Sequence, residues 1–171
     1  MPTLYGVFRS RASRPIWLLY ELDEAFEHIP VIQAYRLPQA SAPDAPLNTA
    51  SADFLKVNPQ GQIPAYVEGD LILTESLSIT NHIARTRGGD LGPQTPAEQA
   101  LIDQWTLLAV TAVETPALEI LNVVGAEGHK TPEGQAAIAI NAEKLRRPLK
   151  RLQAHVLHHT GRVADVGRHN Q

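Results

Sequence analysis

The hydrophobic pattern changes its period along the chain. Early apolar runs are short and rich in strand formers, and after residue 93 they recur at helical spacing. Thr3 to Phe8 reads as a first strand. An Arg- and Ser-rich segment, Arg9 to Arg14, follows. Pro15-Ile16-Trp17-Leu18-Leu19-Tyr20-Glu21-Leu22 is then apolar nearly all round, the pattern of a helix buried on most sides. Ser13 is placed to cap that helix, and Pro15 suits its first turn, where the N–H has no partner anyway. Phe26 to Val31 reads as a second strand. Strand, helix and strand with short links form a βαβ unit, whose strands run parallel.

The loop Leu37 to Asn48 carries Pro38, Pro43 and Pro46 and is too rich in proline for regular structure. Ser51 to Val57 reads as a short helix, and Asn58-Pro59-Gln60-Gly61 as a turn. Ile63 to Val67 and Leu71 to Thr74 flank Glu68-Gly69-Asp70, a β-hairpin pattern. Glu75 to Thr86 has Leu77, Ile79 and Ile83 at helical spacing. Gly88-Gly89-Asp90-Leu91-Gly92-Pro93 is the sharpest break, so the division expected is 1–87, a linker 88–95, and an all-helical part 96–171. Thr95-Pro96-Ala97-Glu98 is a capping box with Pro at the first helical position. The helix it opens places Leu101, Trp105, Leu108 and Ala112 on one face, and Pro116 is expected to kink it. Thr131-Pro132-Glu133 opens another helix, with Ile138, Leu145, Leu149, Leu152 and Val156 at helical spacing and Pro148 inside. Gly161 to Gln171 has few apolar residues and is expected to be poorly ordered.

Composition narrows the function. The chain has 171 residues, 43% hydrophobic and 19% charged, which fits one large or two small folded domains. With 15 basic and 18 acidic residues the net charge is -3, without the basic excess of a nucleic-acid binder. No apolar run reaches the roughly 18–20 residues that span a bilayer, and no secretory signal opens the chain. The absence of cysteine removes disulfides, thiolate metal sites and a cysteine nucleophile, and it suits a reducing compartment. His155, His158 and His159 share a helical spacing, but no Asp, Glu or Cys neighbour completes a metal site. A solvated face is the simpler reading, and no metal is expected.

Two stretches carry a specific signal: Asn58-Pro59-Gln60-Gly61-Gln62-Ile63-Pro64 and Glu75-Ser76-Leu77-Ser78-Ile79. With the opening Leu4-Tyr5 through Ser10-Arg11-Ala12-Ser13-Arg14, they resemble the glutathione-site signature of the cytosolic glutathione transferase superfamily, in its serine-type, bacterial-like form. The resemblance covers the first half continuously and the helical half by layout. It implies an α/β thioredoxin-like domain, βαβαββα, followed by an all-α domain. That family's helical domain normally continues further and contains a core helix opened by a Ser/Thr-x-x-Asp motif. Here Arg162-Val163-Ala164-Asp165 has Arg in the cap position, so the helical domain is expected to be incomplete. Trp105, Leu108 or Leu149 would then be exposed.

The same resemblance implies a cis bond before Pro64, which would present the N–H and C=O of Ile63 to the cysteinyl part of glutathione. A trans proline starting an edge strand is the ordinary alternative. It assigns Glu75 and Ser76 to the γ-glutamyl end of the tripeptide, although a capping Ser beside a dipole-favoured Glu would look the same. Gln62 is a further candidate, for the glycyl end. Ser10 matches the residue that favours the thiolate by donating a hydrogen bond to it. Tyr5 lies near the position used by tyrosine-type members, Ser13 reads as a cap, and Arg9, Arg11 and Arg14 read as solvated cations outside the site.

The function expected is transfer of reduced glutathione, as co-substrate, to small, largely apolar electrophiles, by a cytoplasmic homodimer without metal, nucleic-acid or membrane partners. A non-catalytic glutathione-binding or protein-interaction module, or an inactive fragment, is the alternative.

Overall fold

The computed structural model describes residues 1–166, with side chains through His155. The chain forms two compact units, one from Met1 to Ile102 and one beginning at Asp103.

The first unit runs β1 (Thr3–Tyr5), α1 (Ser13–Glu21), β2 (Glu27–Ile29), α2 (Ala52–Val57), β3 (Ala65–Glu68), β4 (Leu71–Thr74) and α3 (Ser76–Arg87). This is the expected βαβαββα order. The four strands lie in the order β2-β1-β3-β4. β1 and β2 are parallel, whereas β1 with β3 and β3 with β4 are antiparallel.

Register explains the two-sided core. Side chains alternate between the faces of a strand, and directly paired residues share a face. Leu4 pairs with Tyr66, and both join Ala12, Ile16, Leu19, Ile79 and Ile83 beneath α1 and α3. Tyr5 pairs with Ala65, and both lie on the opposite face with Val31, Phe54, Leu47 and Ile63. α2 supplies Phe54 to that second cluster. The sheet is thus covered on both sides, with helices α1 and α3 on one and α2 on the other.

Several expectations change. β1 ends at Tyr5, not Phe8, because Gly6 leaves the strand at φ 150°. β2 is confined to Glu27–Ile29, although Val31 is fully buried. α1 is not buried on most sides: Pro15, Ile16 and Leu19 turn inward, while Trp17 and Tyr20 are 69% and 62% exposed. A helix of nine residues lying on one sheet face buries a single stripe, whatever its outer residues are. Ser13 is not the cap. It is the first helical residue, and the cap position falls on Ala12, with no side-chain cap bond; just upstream, the Ser10 C=O accepts the Ser13 N–H at 3.2 Å and its hydroxyl the Ala12 N–H at 3.0 Å.

Asn48, 1% exposed, anchors the proline-rich loop. Its Nδ2 donates to the carbonyls of Ala40 and Pro46, and its Oδ1 accepts from the Ala50 N–H. At the far end of α3, Arg87 bonds Glu24 at 3.1 Å and also Glu68, which accepts the Tyr66 hydroxyl at 2.9 Å. The ladder from Glu68 to Leu71 closes the hairpin around Gly69 and Asp70.

α4 (Pro96–Leu108) starts at the expected capping box, shifted by one residue on its return arm. Thr95 Oγ1 accepts the Glu98 N–H at 3.2 Å, and Glu98 accepts from the Gln94 N–H at 2.6 Å. At Pro116, where a kink was expected, the helical path changes type instead. A π-helical segment, Ala109–Glu114, links α4 to α5 (Thr115–Gly125). Proline removes one donor from the ladder, and the wider turn re-pairs its neighbours: Thr115 Oγ1 donates to the carbonyl five residues back, at Val110, at 3.1 Å. Thr131 Oγ1 caps α6 (Pro132–Val166) by accepting the Gly134 N–H at 3.1 Å.

In the second unit α5 packs on α6. The inward stripe of α6 includes Ile138, Asn141, Leu145 and Pro148; Leu149 is exposed, as the incomplete helical domain implied, and Leu152 is exposed, contrary to the spacing argument. Trp105 and Leu108 are half-buried. Arg151 lies 5.2 Å from the Trp105 ring centre and His155 stacks on that ring at 4.2 Å. The segment expected to lose regular structure at Gly161 is helical to Val166. Residues 167–171 and the side chains of His158 and His159 lie outside the described residues.

The continuous helical stretch Pro96–Gly125 contains a window of mean hydropathy 1.6, long and apolar enough to cross a membrane by length and composition. Glu114 and Glu119 interrupt the apolar run in the sequence but do not offset the average, so the absence of such a stretch does not hold. Only 6% of that window is buried within the chain.

Candidate active site at the end of the sheet

The sheet topology gathers the candidate residues. β1 finishes at Tyr5, β3 begins at its partner Ala65, and Ala65 pairs with Thr74, where β4 finishes. Antiparallel pairing therefore puts Gly6, Pro64 and Glu75 at one end of three neighbouring strands. Both α1 and α3 begin there, with the unpaired N–H groups and positive dipole ends of helix starts.

Gly6 makes the assembly compact, a role sequence reasoning missed. A Cβ on it would lie 2.6 Å from Ala12 Cβ, 3.7 Å from Ile63 Cβ and 3.8 Å from Pro64 Cα. The Arg/Ser loop and the Ile63-Pro64 turn thus meet over a residue without a side chain. The available signal was a glycine closing a run of strand formers.

The Ile63-Pro64 bond is cis, as the resemblance implied. Asn58, 2% exposed, builds the turn in front of it: its Nδ2 donates to the Gln62 carbonyl at 2.7 Å and its Oδ1 accepts the Gln60 N–H at 3.1 Å. Gly61 has φ 61°, and a Cβ there would stand 2.7 Å from the Thr49 carbonyl oxygen. Pro64 is buried, Ile63 is half-buried, and the Gln62 side chain is exposed. The β3 ladder starts at Ala65, so Ile63 lies outside it.

Glu75 alone links β4 to α3. One residue must reverse the chain, and it does so at φ 63°, a conformation that costs a side-chain-bearing residue about 1–3 kcal/mol. Its carbonyl accepts the Ile79 N–H at 3.0 Å, and its carboxylate is exposed. Ser76 is 4% exposed, and its Oγ accepts a hydrogen bond from Arg14 Nη1 at 3.0 Å. Arg14, read as a solvated cation, is instead half-buried and committed to the start of α3.

Ser10 is half-buried. Its hydroxyl donates to the Val7 carbonyl at 2.7 Å and accepts the Ala12 N–H at 3.0 Å. Tyr5 packs in the second core cluster with its ring 6.1 Å from that of Phe54. Arg9 is exposed and receives Gln33 on its carbonyl at 3.5 Å. A shallow cavity of roughly 300 Å³, lined by Arg85, Arg87, Gly92 and Gln94, lies at the opposite end of α3 from Ser76. Among the described residues no group of three His, Asp or Glu is placed to hold a metal.

Comparison with known proteins agrees with this layout. Residues 2–85 match the family model described as Glutathione S-transferase, N-terminal domain. Glutathione S-transferase F10 of Arabidopsis thaliana is 34% identical over 97 residues, 54% of this chain and 45% of the relative. The chain thus spans about half of that relative's length. A structure of glutathione S-transferase III in apo form is 30% identical and superposes with a TM-score of 0.62, over 92% of this chain and 69% of the other. The theta class glutathione S-transferase of Xanthomonas axonopodis pv. citri, solved with glutathione bound, is 26% identical with a TM-score of 0.66, over 91% and 70% of the two chains. Sheet order, the turn before Pro64 and these likenesses converge: the chain belongs to the cytosolic glutathione transferase superfamily.

Proposed function

We propose that this chain binds reduced glutathione at the sheet end and transfers it to a small electrophile. The observation that carries the reading is the meeting of Gly6, Ala12, Ile63 and Pro64 beside the α1 start, with Ser76 at the start of α3 and tied to α1 by Arg14. In the proposed complex the backbone of Ile63 pairs with the cysteinyl residue like an edge strand. Ser76 and the first N–H groups of α3 take the γ-glutamyl carboxylate, and Glu75 takes its ammonium. Gln62 faces the glycyl end. The bound relative from Xanthomonas supports glutathione as the ligand. We assign this binding to residues 1–87, joined by the linker 88–95 to the helical part, in a cytoplasmic homodimer without nucleic-acid or membrane partners.

Ser10 is the proposed activator. A free thiol with pKa near ~8.5 is mostly protonated at neutral pH, and a hydroxyl donated to sulfur beside a helix start favours the anion. The thiol proton leaves to solvent. The thiolate forms a C–S bond with the electrophilic carbon, and the leaving group departs with its electron pair. Ser10 must first turn its proton from the Val7 carbonyl to the sulfur.

That engagement favours a second reading, a module that holds glutathione without turnover. Calorimetric titration with reduced glutathione, followed by a conjugation assay with an activated aryl chloride, separates the two. Binding with turnover supports transfer, binding alone supports the module, and neither contradicts both.

A further inference from the structure

We infer that His28 is a positioning residue for Ser10, acting through the loop that follows β1. The inference rests on the glutathione reading above. His28 stands in the middle of β2, half-buried and paired in register with Leu4 of β1. Its Nε2 lies 2.8 Å from the Gly6 carbonyl oxygen. A carbonyl only accepts, so Nε2 carries the proton and donates it. The Gly6 N–H donates to the Ile29 carbonyl at 3.0 Å. Both backbone polar groups of Gly6 are therefore pinned to β2, one by the strand backbone and one by the His28 side chain. The pinned carbonyl belongs to the peptide that joins Gly6 to Val7. Gly6 has no side chain to restrict that peptide, so the imidazole sets its direction.

The restraint extends past that peptide. The Val7 carbonyl takes the Ser10 hydroxyl at 2.7 Å, and the Phe8 ring meets the His28 ring edge-on with centroids 5.3 Å apart. His28 thus holds the chain on both sides of Val7, whose carbonyl keeps the Ser10 proton. The imidazole also lies 6.3 Å from the ring of Phe26, which packs on the core beneath α1 and α3. The loop is therefore tied to the rigid part of the domain. Phe8 is 59% exposed and gains little from burial, which leaves the bond to Gly6 as the specific restraint. Placement matters because the Ser10 hydroxyl has to reach the sulfur by rotating, without the loop drifting away. A misplacement of about 1 Å at a reacting group costs as much as about a hundredfold in rate. The tripeptide itself is assigned to Ile63, Glu75 and Ser76, on other segments. Loss of the His28 bond therefore falls on thiol ionisation and not on affinity.

The test compares wild type, H28F, H28L, H28Q, S10A and the S10A/H28F double variant. Three quantities are read: glutathione affinity by calorimetry, the pH midpoint of thiolate formation in bound glutathione by ultraviolet absorbance, and kcat/KM with an activated aryl chloride. Phenylalanine keeps a ring beside Phe8 and Phe26 and removes the donor, and glutamine restores an N–H at similar reach. H28F is expected to raise the midpoint by about half a unit to one unit and to lower kcat/KM by about three- to tenfold, the scale of one hydrogen bond. Its glutathione affinity should stay within about twofold of wild type. H28Q should recover most of the loss. In the S10A background H28F should change neither the midpoint nor kcat/KM further, because His28 acts only through Ser10. A merely structural role would lower affinity and activity together and would act equally in both backgrounds, and that result would overturn the inference. So would an H28Q protein as impaired as H28F. H28L carries the same expectation should H28F not fold, and failure of both to fold would make His28 a structural residue and overturn the inference too. If wild type binds without turnover, the midpoint still decides. If wild type binds no glutathione, the glutathione reading fails and the inference with it. If wild type binds and H28F keeps the wild-type midpoint, only the role of His28 fails.

Discussion

The Ser10 hydroxyl donates to the carbonyl of Val7 at 2.7 Å, three residues back in the same loop. The group assigned to the sulfur is thus already engaged, and its reactive orientation costs a local hydrogen bond. That bond contributes only about 0.5–1.5 kcal/mol net, less than the roughly 1.5–3 kcal/mol of a bond to a charged group such as a thiolate. Exchange toward the sulfur is therefore downhill. Replacing Ser10 with Ala should lower kcat/KM by about ten- to a hundredfold, and should raise the pH at which the thiol reacts. Tyr5→Phe should keep most activity, because the Tyr5 ring packs beside Phe54. Steady-state kinetics across pH decides, and a dead Tyr5→Phe beside an active Ser10→Ala reverses the assignment.

Asn58 shapes the turn from inside. Asn58→Ala strands the Gln62 carbonyl and the Gln60 N–H, so unfolding stability should drop by about 1–3 kcal/mol. Because that turn carries Ile63, the affinity for glutathione should fall as well. Denaturant melts with a parallel titration measure both. Unchanged stability would mean that water replaces the side chain.

How much of this was legible in the sequence depends on how local the signal was. The hairpin and the turn before Pro64 were readable because Pro, Gly and Asn force local geometry. The capping box at Thr95 and the helix start at Thr131-Pro132 were readable for the same reason. Ser13 was misread as a cap because the helix starts one residue earlier than the pattern suggested, at Ser13 itself, which leaves the cap position to Ala12. The exposed face of α1 was hidden because Trp17 and Tyr20 look like core residues until one knows which stripe meets the sheet. The bond from Arg14 to Ser76 was invisible: the two are 62 residues apart, and only the packing of α1 against α3 brings them together. The π-helical turn before Pro116 needed the hydrogen-bond ladder itself.

Gly6→Ala tests whether the site depends on close approach. The new Cβ meets Ala12 at 2.6 Å, and φ 150° is unfavourable for any side chain. A loss of about 2–4 kcal/mol in stability is expected, with a larger loss of glutathione binding. Thermal and denaturant melts measure it, and a neutral effect would show that the Arg/Ser loop moves freely away from Pro64.

Tyr66 gives a pH signature. Burial pushes its hydroxyl above the ordinary value of 10.0, with the nearby Arg87 charge opposing. The folded state therefore favours the protonated phenol. Its contribution to stability is complete below about pH 10 and is lost as pH rises through the folded value. Tyr66→Phe should remove this part of the alkaline decline, at a cost of about 1 kcal/mol at neutral pH for the bond to Glu68. Urea melts from pH 8 to 11 on both proteins measure the difference, and parallel curves would show that Tyr66 does not contribute.

Mapping backbone amide shifts by NMR while adding reduced glutathione tests the central claim most directly. Saturable shifts should concentrate at Gly6, Ser10, Ile63, Glu75 and Ser76, the residues gathered at the sheet end. Shifts confined to the cavity beside Arg85 and Gln94, or no saturable shifts at all, would contradict a glutathione site there.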